Sequence, residues 1–316
     1  VRRGDGEIRR DAMYHHKFSY EACLQASERV TWRIEDIIGG QRQLDFSKPF
    51  MPEALARVEP LTFLTHAEQR ILNQIRGYGY LYTFALVEEF IVPFIMDQLR
   101  GSVHDDDVAT RALLGFASEE AKHIQLFNTF CAAFRRDFGS QCATIGPAAE
   151  IADTILEHHP LAVALVILQT EWMTQDHYVE SVKDEQDLDP VFKDMLKHHW
   201  LDEAQHAKMD TLMIDTLLAH CDADSVRDGI EDYFAISGFL DAGLMRQVRY
   251  DCDSFETATG RSLSGVERQA FIANQSQALR YTYMGSGMRH PNFLSVVKGI
   301  SPETHHRIEE LIPAFC

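Results

Sequence analysis

Apolar residues recur along this chain mostly at spacings of three and four, and alternation of apolar and polar residues is scarce. The first spacing is that of an α-helix and the second that of a β-strand, so the pattern predicts an all-α protein. Long helices are predicted over about 14–38, 65–100, 104–138, 160–183 and 187–221, and further amphipathic stretches follow at about 224–258 and 264–283. We expect one helical domain over 1–316: an N-terminal helix and connector (1–61), a four-helix bundle (62–222) and flanking C-terminal helices (223–316).

Start and stop signals support several of these boundaries. Gly39–Gly40 should end the first helix, and Thr65 with Glu68 forms a capping box at the start of the second. Pro93 should kink this second helix. The acids of "HDDD" at 104–107 should open the next helix, because they lie at the positive end of its dipole.

A Gly-x-Gly occurs within "MGSGMRHP" at 284–291. It follows no predicted strand, which disfavours a nucleotide-binding loop. We expect a turn between two helices at this place.

The overall charge limits the partners of this chain. Its 316 residues carry a net charge of −18, so no excess of Lys and Arg is available to neutralise nucleic-acid phosphates. The basic cluster of Arg2, Arg3, Arg9 and Arg10 is expected to be a solvated tail. We therefore expect no nucleic-acid partner.

The six cysteines form no C-x-x-C pair and suggest no disulfide framework, which favours a reducing cytoplasm. The longest strongly apolar run, Leu161–Leu168, is too short to cross a bilayer, and no secretory leader is recognisable. A soluble, cytoplasmic protein without a membrane partner is expected.

Four of the long predicted helices carry acids and histidines among apolar neighbours. They are Glu88 and Glu89 in "FALVEEFIVPF", Glu120 and His123 in "SEEAKHIQLF", Glu171 after "LAVALVILQT", and Glu203 and His206 in "DEAQH". An unpaired carboxylate in such surroundings would cost several kcal/mol, so a metal ion or protonation has to compensate it.

Glu-x-x-His places a carboxylate and an imidazole one turn apart on the same helix face. A single such motif is usually a solvated pair, but this chain has two, and 32 residues separate both Glu88 from Glu120 and Glu171 from Glu203. The equal spacing predicts two similar helical hairpins joined by one long crossover, and it favours Glu88 over Glu89. Four carboxylates and two imidazoles suit a pair of iron or manganese ions. The set resembles that of ferritin-like di-iron bundles, which implies a ferritin-like four-helix bundle with additional N- and C-terminal helices.

An acid precedes each motif, in "EEAKH" at 119–123 and "DEAQH" at 202–206. These stretches resemble the paired motifs of ferritin-like di-iron oxidases such as the acyl-carrier-protein desaturases. The resemblance implies that Asp202 supports His123 and that Glu119 supports His206. A solvent-facing acid is the alternative for Glu119.

His199 lies four residues before Glu203, whereas Phe116 lies four before Glu120. His-x-x-x-Glu-x-x-His resembles the last bundle helix of the arylamine N-oxygenases, which convert aromatic amines to nitroso or nitro products. The resemblance covers about 65–222. It implies seven metal ligands: Glu88, Glu120, His123, Glu171, His199, Glu203 and His206. An edge histidine beside His198 is the alternative for His199.

The function implied is an O₂-dependent di-iron oxygenase of a small molecule, with N-oxygenation of an amine as the specific reaction. It needs two Fe ions (di-manganese or mixed Mn/Fe stay open), O₂ as co-substrate and a reductase as electron donor. The alternatives are an acyl-chain hydroxylase or desaturase, a ferritin-like iron-binding protein, and a scaffold with buried salt bridges. A homodimer is left open. Four aromatic residues near the ligands are expected either to line a pocket or to lie in the core: Tyr80, Tyr82, Trp172 and Tyr178.

Overall fold

The computed structural model describes residues 17–103 and 106–316. The expectations for the basic cluster at 2–10, the start of the first helix at 14 and the first half of "HDDD" lie outside these residues. Within the described ranges the chain consists of helices and connecting loops and contains no β-strand. The all-α prediction is therefore confirmed.

Thirteen α-helices and two π-helical segments follow one another in the described residues. The α-helices are α1 (Tyr20–Ser27), α2 (Ile34–Ile37), α3 (Glu53–Ala56), α4 (His66–Ser102), α5 (Asp107–Asp137), α6 (Ala148–Leu156), α7 (Pro160–Asp176), α8 (Pro190–His220), α9 (Ala223–Thr259), α10 (Gly265–Arg280), α11 (Ser286–Met288), α12 (Pro291–Ile300) and α13 (Pro302–Phe315). The π-helical segments are His177–Val182 and Tyr281–Gly285.

The four long helices α4, α5, α7 and α8 form the ferritin-like bundle. α4 packs on α5, α7 packs on α8, and α5 also contacts α8. The segment 138–159, which contains α6, is the long crossover between the two hairpins. α9 lies against both α4 and α7, and α1 lies against α5 and α8. The predicted bundle with added helices at both ends is thus what the structure has.

Two apolar layers make up the core, and every bundle helix passes from one layer to the other. Along α4 and α8 the buried residues of the layer around Phe50 and Phe192 come first, whereas along α5 and α7 those of the layer around Leu165 and Val248 come first. α4 and α8 therefore run in one direction and α5 and α7 in the other. On each helix the predicted ligands lie where the chain leaves one layer and enters the next.

Local capping explains several helix ends. The Thr65 side chain accepts from the Glu68 backbone, and Glu68 reaches back to the Thr65 backbone, so the predicted capping box is present. Asp106 caps α5 through Val108 and Ala109. Pro93 lies inside α4, which continues to Ser102; a kink there stays a prediction.

The predicted first helix, about 14–38, is wrong. In the described residues α1 ends at Ser27, and a separate turn, α2, covers Ile34–Ile37. Ser27 donates to Glu119 and the Trp32 indole donates to Asp202. These two residues would point about 140° apart on one continuous helix, so both contacts require the helix to break.

The expected turn at the Gly-x-Gly is also wrong in detail. Gly285 ends a π-helical segment and Gly287 lies in α11, while the chain turns afterwards at Arg289 and His290. A Cβ on Gly287 would lie 2.5 Å from the backbone oxygen of Gln169. Both glycines allow close packing: α11 approaches α7 at Gly287, and at Gly285 a Cβ would lie 2.5 Å from the Phe315 oxygen.

One described helix, His66–Arg100, is long and apolar enough to cross a membrane by length and composition, although the run Leu161–Leu168 is not. Of its apolar window, 67% is buried inside the protein, as in the core helix of a bundle. All six cysteines are free in the described residues.

Candidate metal centre

The seven predicted ligands lie together in the middle of the bundle. Each is at most 3% exposed: Glu88 from α4, Glu120 and His123 from α5, Glu171 from α7, and His199, Glu203 and His206 from α8. Glu89, the alternative to Glu88, is only half-buried. The structure thus places Glu88 at the cluster and Glu89 beside it.

Glu120 lies between two imidazoles, and so does Glu203. The Glu120 oxygens are 3.4 Å from His123 Nδ1 and 2.8 Å from His206 Nδ1. Glu203 Oε1 is 3.2 Å from His123 Nδ1 and 3.6 Å from His206 Nδ1. The two Glu-x-x-His motifs therefore face each other across the bundle with their acids in between.

His199 makes the cluster asymmetric. Its Nε2 lies 2.8 Å from Glu203 Oε1 and 3.4 Å from Glu88 Oε1. At the matching position on α5, the Phe116 ring stacks on His206 with centroids 4.1 Å apart. One half of the cluster therefore has an imidazole where the other has a phenyl ring.

Two overlapping groups of four residues present possible ligand atoms, in each case within 4.8 Å of one another. The groups are Glu88, His123, His199 and Glu203, and Glu120, His123, Glu203 and His206. Because they share His123 and Glu203, two ions held by them would be neighbours.

Glu171 is buried beside Glu203 but belongs to neither group. Burial raises the pKa of Glu171 well above its usual value, and the nearby charges of Glu203 and Glu120 raise it further. Glu171 and Glu203 are hydrogen-bonded, and their opposite pKa shifts favour Glu171 as the donor of the pair.

The outer nitrogens of the two bundle imidazoles face carboxylates. His123 Nε2 lies 3.1 Å from Asp202 Oδ2, and His206 Nε2 lies 2.9 Å from Glu119 Oε2. The Glu119 side chain is 15% exposed and is therefore not a solvent-facing acid. When Nε2 donates its hydrogen to these acids, each Nδ1 presents a lone pair to the interior of the cluster.

Three contacts that the sequence did not reveal hold these outer acids. The Trp32 indole Nε1 donates to Asp202 over 3.0 Å, and the Lys122 ammonium lies 2.9 Å from the same oxygen. Ser27 donates to Glu119. Trp32 and Ser27 belong to a polar N-terminal stretch whose local pattern does not indicate a role at a site.

Many cluster atoms are buried without a hydrogen-bond partner, although oppositely polarised atoms lie close by. They are Glu88 Oε2, both oxygens of Glu120, Glu171 Oε2, Glu203 Oε1 and the Nδ1 atoms of His123 and His206. Those of Glu120, His123, Glu203 and His206 belong to a group whose possible ligand atoms all lie within 4.8 Å of one another. Orphaned buried groups are rare in native proteins because each is costly. Cations held by the two groups of four would give most of these atoms a partner, and mixed oxygen and nitrogen donors suit iron or manganese. The residues fit the implied metals.

Without metal, the charges of the imidazoles and of the carboxylates offset one another. Burial lowers the pKa of His123, but Asp202 and Glu120 outweigh it and raise that pKa to about 9. Burial likewise opposes the shift at His206, whose pKa is nevertheless raised well above its usual value by Glu120 and Glu203. Metal binding must therefore displace protons from both rings.

A cavity of about 240 Å³ lies between α4, α6, α7 and α9; we call it the α4/α7 cavity. None of the four aromatic residues considered for pocket lining lines it. The Tyr80 hydroxyl lies 3.2 Å from His177 Nδ1, Trp172 stacks on His290, and Tyr178 stacks on Trp200. The pocket-lining interpretation is wrong for this cavity.

No family model matches this chain, and no curated protein matches it. Among solved structures, it is similar to an R2-like ligand-binding oxidase with aerobically reconstituted Mn/Fe cofactor, with 14% identity, 88% of this chain and 97% of that chain covered, and a TM-score of 0.41. A variant of such an oxidase with anaerobically reconstituted Mn/Fe cofactor gives 13% identity, 84% and 93% coverage, and a TM-score of 0.44. Because identity and scores are this low, the metal centre is inferred from this chain's own residues.

Proposed function

We propose that this chain is an O₂-dependent di-metal oxidoreductase of the monooxygenase type that acts on a small organic molecule. The observation that carries the proposal is two overlapping groups of buried carboxylate and imidazole donors from α4, α5 and α8, several of them orphaned, with Glu171 of α7 buried beside them. Ion pairs with the imidazoles reach Glu120 and Glu203 but leave Glu88 Oε2 and Glu171 Oε2 without a partner, so a scaffold of salt bridges does not account for the whole set.

The residues that would hold the ions are the seven of the cluster: Glu88, Glu120, His123, Glu171, His199, Glu203 and His206. Iron is the proposed metal, with di-manganese or mixed Mn/Fe as further forms that the same donors suit. Two redox-active ions would supply the electrons and coordination positions with which O₂ is reduced. In the net reaction one oxygen atom enters the substrate and the other leaves as water, with two electrons and two protons from a reductase.

The chain's own part is to orient donors and exclude water. Asp202 and Glu119 fix the tautomer and direction of His123 and His206. Glu171 is buried beside Glu203, and its raised pKa favours the neutral acid there in the absence of a cation. The two apolar layers on either side keep bulk water away and lower the local dielectric.

N-oxygenation of an amine is the specific reaction we propose, on the ground of His199. It adds a third imidazole to one half of the cluster, whereas the matching position is Phe116. A further nitrogen donor would hold one ion more firmly than the other and would make the two halves of the centre chemically different. The six free cysteines suit the reducing cytoplasm that we propose as its location.

Two measurements test the proposal. The protein is purified without chelators, its metals are counted by elemental analysis, and the metal-depleted chain is titrated with Fe²⁺ without oxygen. We expect two ions per chain. A folded chain that takes up no transition metal would overturn the proposal, and uptake of many ions per chain would identify iron storage instead.

The second measurement follows products after the reduced, loaded protein is mixed with O₂ and a panel of aromatic amines and acyl chains. Nitroso or hydroxylamine products from an amine are expected. Oxidation of acyl chains alone would replace the amine proposal by a hydroxylase or desaturase.

A further inference from the structure

We propose that the α4/α7 cavity binds the substrate, and that this substrate is a compact, uncharged and largely apolar molecule. The inference rests on the proposed function for the fate of the bound molecule. The size and charge of the proposed substrate, however, are derived from the cavity alone, and binding of probe molecules tests them.

The cavity lies directly beside the cluster. Val87 and Thr170 both line it, and each immediately precedes a predicted ligand, Glu88 or Glu171. Phe84 also lines it, and its ring lies 5.5 Å, centroid to centroid, from the ring of His199. A molecule in the cavity would thus lie one aromatic ring away from the cluster.

The cavity and the N-terminal segment lie on different sides of the bundle. α6 and α9 contribute the outer walls of the cavity and pack on α4 and α7. α1 packs instead on α5 and α8, where the outer acids Glu119 and Asp202 lie. The substrate would therefore approach the Glu88–Glu171 edge without disturbing those acids.

The volume limits the size of the molecule. An engineered apolar protein cavity of about 150 Å³ holds one benzene. The α4/α7 cavity measures about 240 Å³. By the same packing it accommodates about ten non-hydrogen atoms, roughly a bicyclic aromatic molecule. A long acyl chain exceeds this volume.

The hydroxyl groups of Thr170, Thr154 and Tyr283 in the lining already have hydrogen-bond partners within the protein. Thr170 and Thr154 each donate to a carbonyl of their own helix. Tyr283 is hydrogen-bonded to Thr83. The remaining inner wall is apolar and includes Phe84, Phe90 and Leu244. A charged group would lose its hydration here and gain no partner, so the inner wall selects an uncharged molecule.

The two charged residues in the lining have opposite signs. Glu150 and Arg246 are both exposed, so they lie where the cavity opens, and neither forms an ion pair with a described residue. One negative and one positive charge cancel, so the opening carries no net charge that would favour an anionic or a cationic ligand.

Two glycines on α9 allow a matched test. A Cβ on Gly243 would make only an ordinary contact, 3.7 Å from Ile145 Cδ1, and Gly243 lines the cavity. A Cβ on Gly238 would meet nothing within 4 Å, and Gly238 is exposed outside the cavity. Gly243→Phe should fill the cavity without disturbing the fold, while Gly238→Phe adds the same side chain elsewhere on the same helix.

The experiment is isothermal titration calorimetry of the full chain, with and without metals, using indole, indole-3-carboxylate and dodecan-1-ol. We expect indole to bind with one site per chain and both other probes to bind at least ten-fold more weakly. Gly243→Phe should weaken indole binding at least ten-fold, and Gly238→Phe should leave it unchanged.

Three results would overturn the inference: no indole binding by the folded wild type, equal binding by Gly243→Phe, or tighter binding of either other probe. Metal content is measured on the same samples. Probe binding that Gly243→Phe blocks in a chain unable to take up metal would leave the cavity assignment standing and remove the oxidase proposal. Normal metal uptake without probe binding would do the reverse.

Discussion

Trp32 and His123 are joined through one oxygen atom. Asp202 Oδ2 accepts from Trp32 Nε1 over 3.0 Å and lies 3.1 Å from His123 Nε2. The two rings are nearly parallel, with 5° between their planes, and the Lys122 ammonium lies 3.8 Å from the indole centroid. A side chain from outside the bundle thus helps to fix the direction of a candidate ligand inside it.

The first prediction concerns Asp202. Asp202→Asn removes the charge that holds His123 in its inward-facing tautomer, and we expect metal affinity to fall about 10- to 100-fold. Trp32→Phe keeps most of the packing and removes one donor to Asp202, so its effect should be smaller. Competition titration with a chromogenic chelator measures both. Equal affinities in the wild type and Asp202→Asn would contradict the assigned role.

The second prediction separates neighbouring acids on α4. Glu88→Gln should reduce the metal content from two ions per chain towards one, because Glu88 faces His199 within the cluster. Glu89→Gln should keep both ions, since Glu89 is only half-buried beside it. Elemental analysis of the reconstituted variants measures the number of ions per chain. If the two variants lose metal equally, the preference for Glu88 is wrong.

The third prediction concerns His199. His199→Ala should weaken the binding of one of the two ions at least ten-fold. It should also lower the yield of oxidised amine more than it lowers O₂ consumption. His220 lies exposed at the end of the same helix with its Nδ1 2.8 Å from the Thr216 carbonyl oxygen, so His220→Ala serves as the control. Unchanged metal content and product yield in His199→Ala would leave His199 without a role at the metals.

A fourth prediction is a dependence of stability on pH. Burial lowers the pKa of His177 from 6.5 to about 3, and the ring contacts Tyr80 and Ser286. As pH falls below 6.5 the unfolded chain takes up this proton and the folded chain does not. The contribution of His177 to the free energy of unfolding is therefore complete above pH 6.5 and is lost as the pH falls towards 3. This contribution is on the order of 5 kcal/mol.

His177→Gln isolates that contribution, because the other titrating groups are common to both proteins. The free energy of unfolding is measured with urea between pH 7 and pH 4 for wild type and variant. The wild type should lose more stability than His177→Gln across this range. Parallel pH profiles would show that His177 titrates normally in the folded chain.

A fifth prediction tests the close approach of α11 to α7. Gly287→Ala places a Cβ against a backbone oxygen, which cannot move as a flexible side chain does, and should destabilise the fold by about 1–3 kcal/mol or more. Gly238→Ala has free space and should stabilise α9 by up to about 1 kcal/mol. Thermal unfolding should shift in opposite directions. A shift in the same direction for both would contradict the packing argument.

The helices and the gathering of the predicted ligands could be predicted because both depend on local spacing. Glu-x-x-His aligns two side chains whatever the rest of the chain does. Equal spacing in the two hairpins then places the ligand positions of the four helices at the same height in the bundle. Capping residues such as Thr65 and Asp106 mark where a helix begins, because each acts on backbone groups only a few positions away.

The missed features depend on contacts between distant parts of the chain. The break after Ser27 exists because Ser27 and Trp32 reach different acids on the bundle. Gly287 is needed because Gln169, far away in sequence, passes close to it. The α4/α7 cavity is the space left between four helices, and no residue pattern records such a space.

The N-terminal segment from Ser27 to Trp32 contacts both acids that lie behind the bundle histidines. Ser27 contacts the acid behind His206 and Trp32 the acid behind His123. Displacing a stretch of only a few residues, by a binding partner or by proteolysis, would free both outer carboxylates at once while every helix that carries a candidate ligand stayed whole. Metal retention by this chain would then be governed from its periphery.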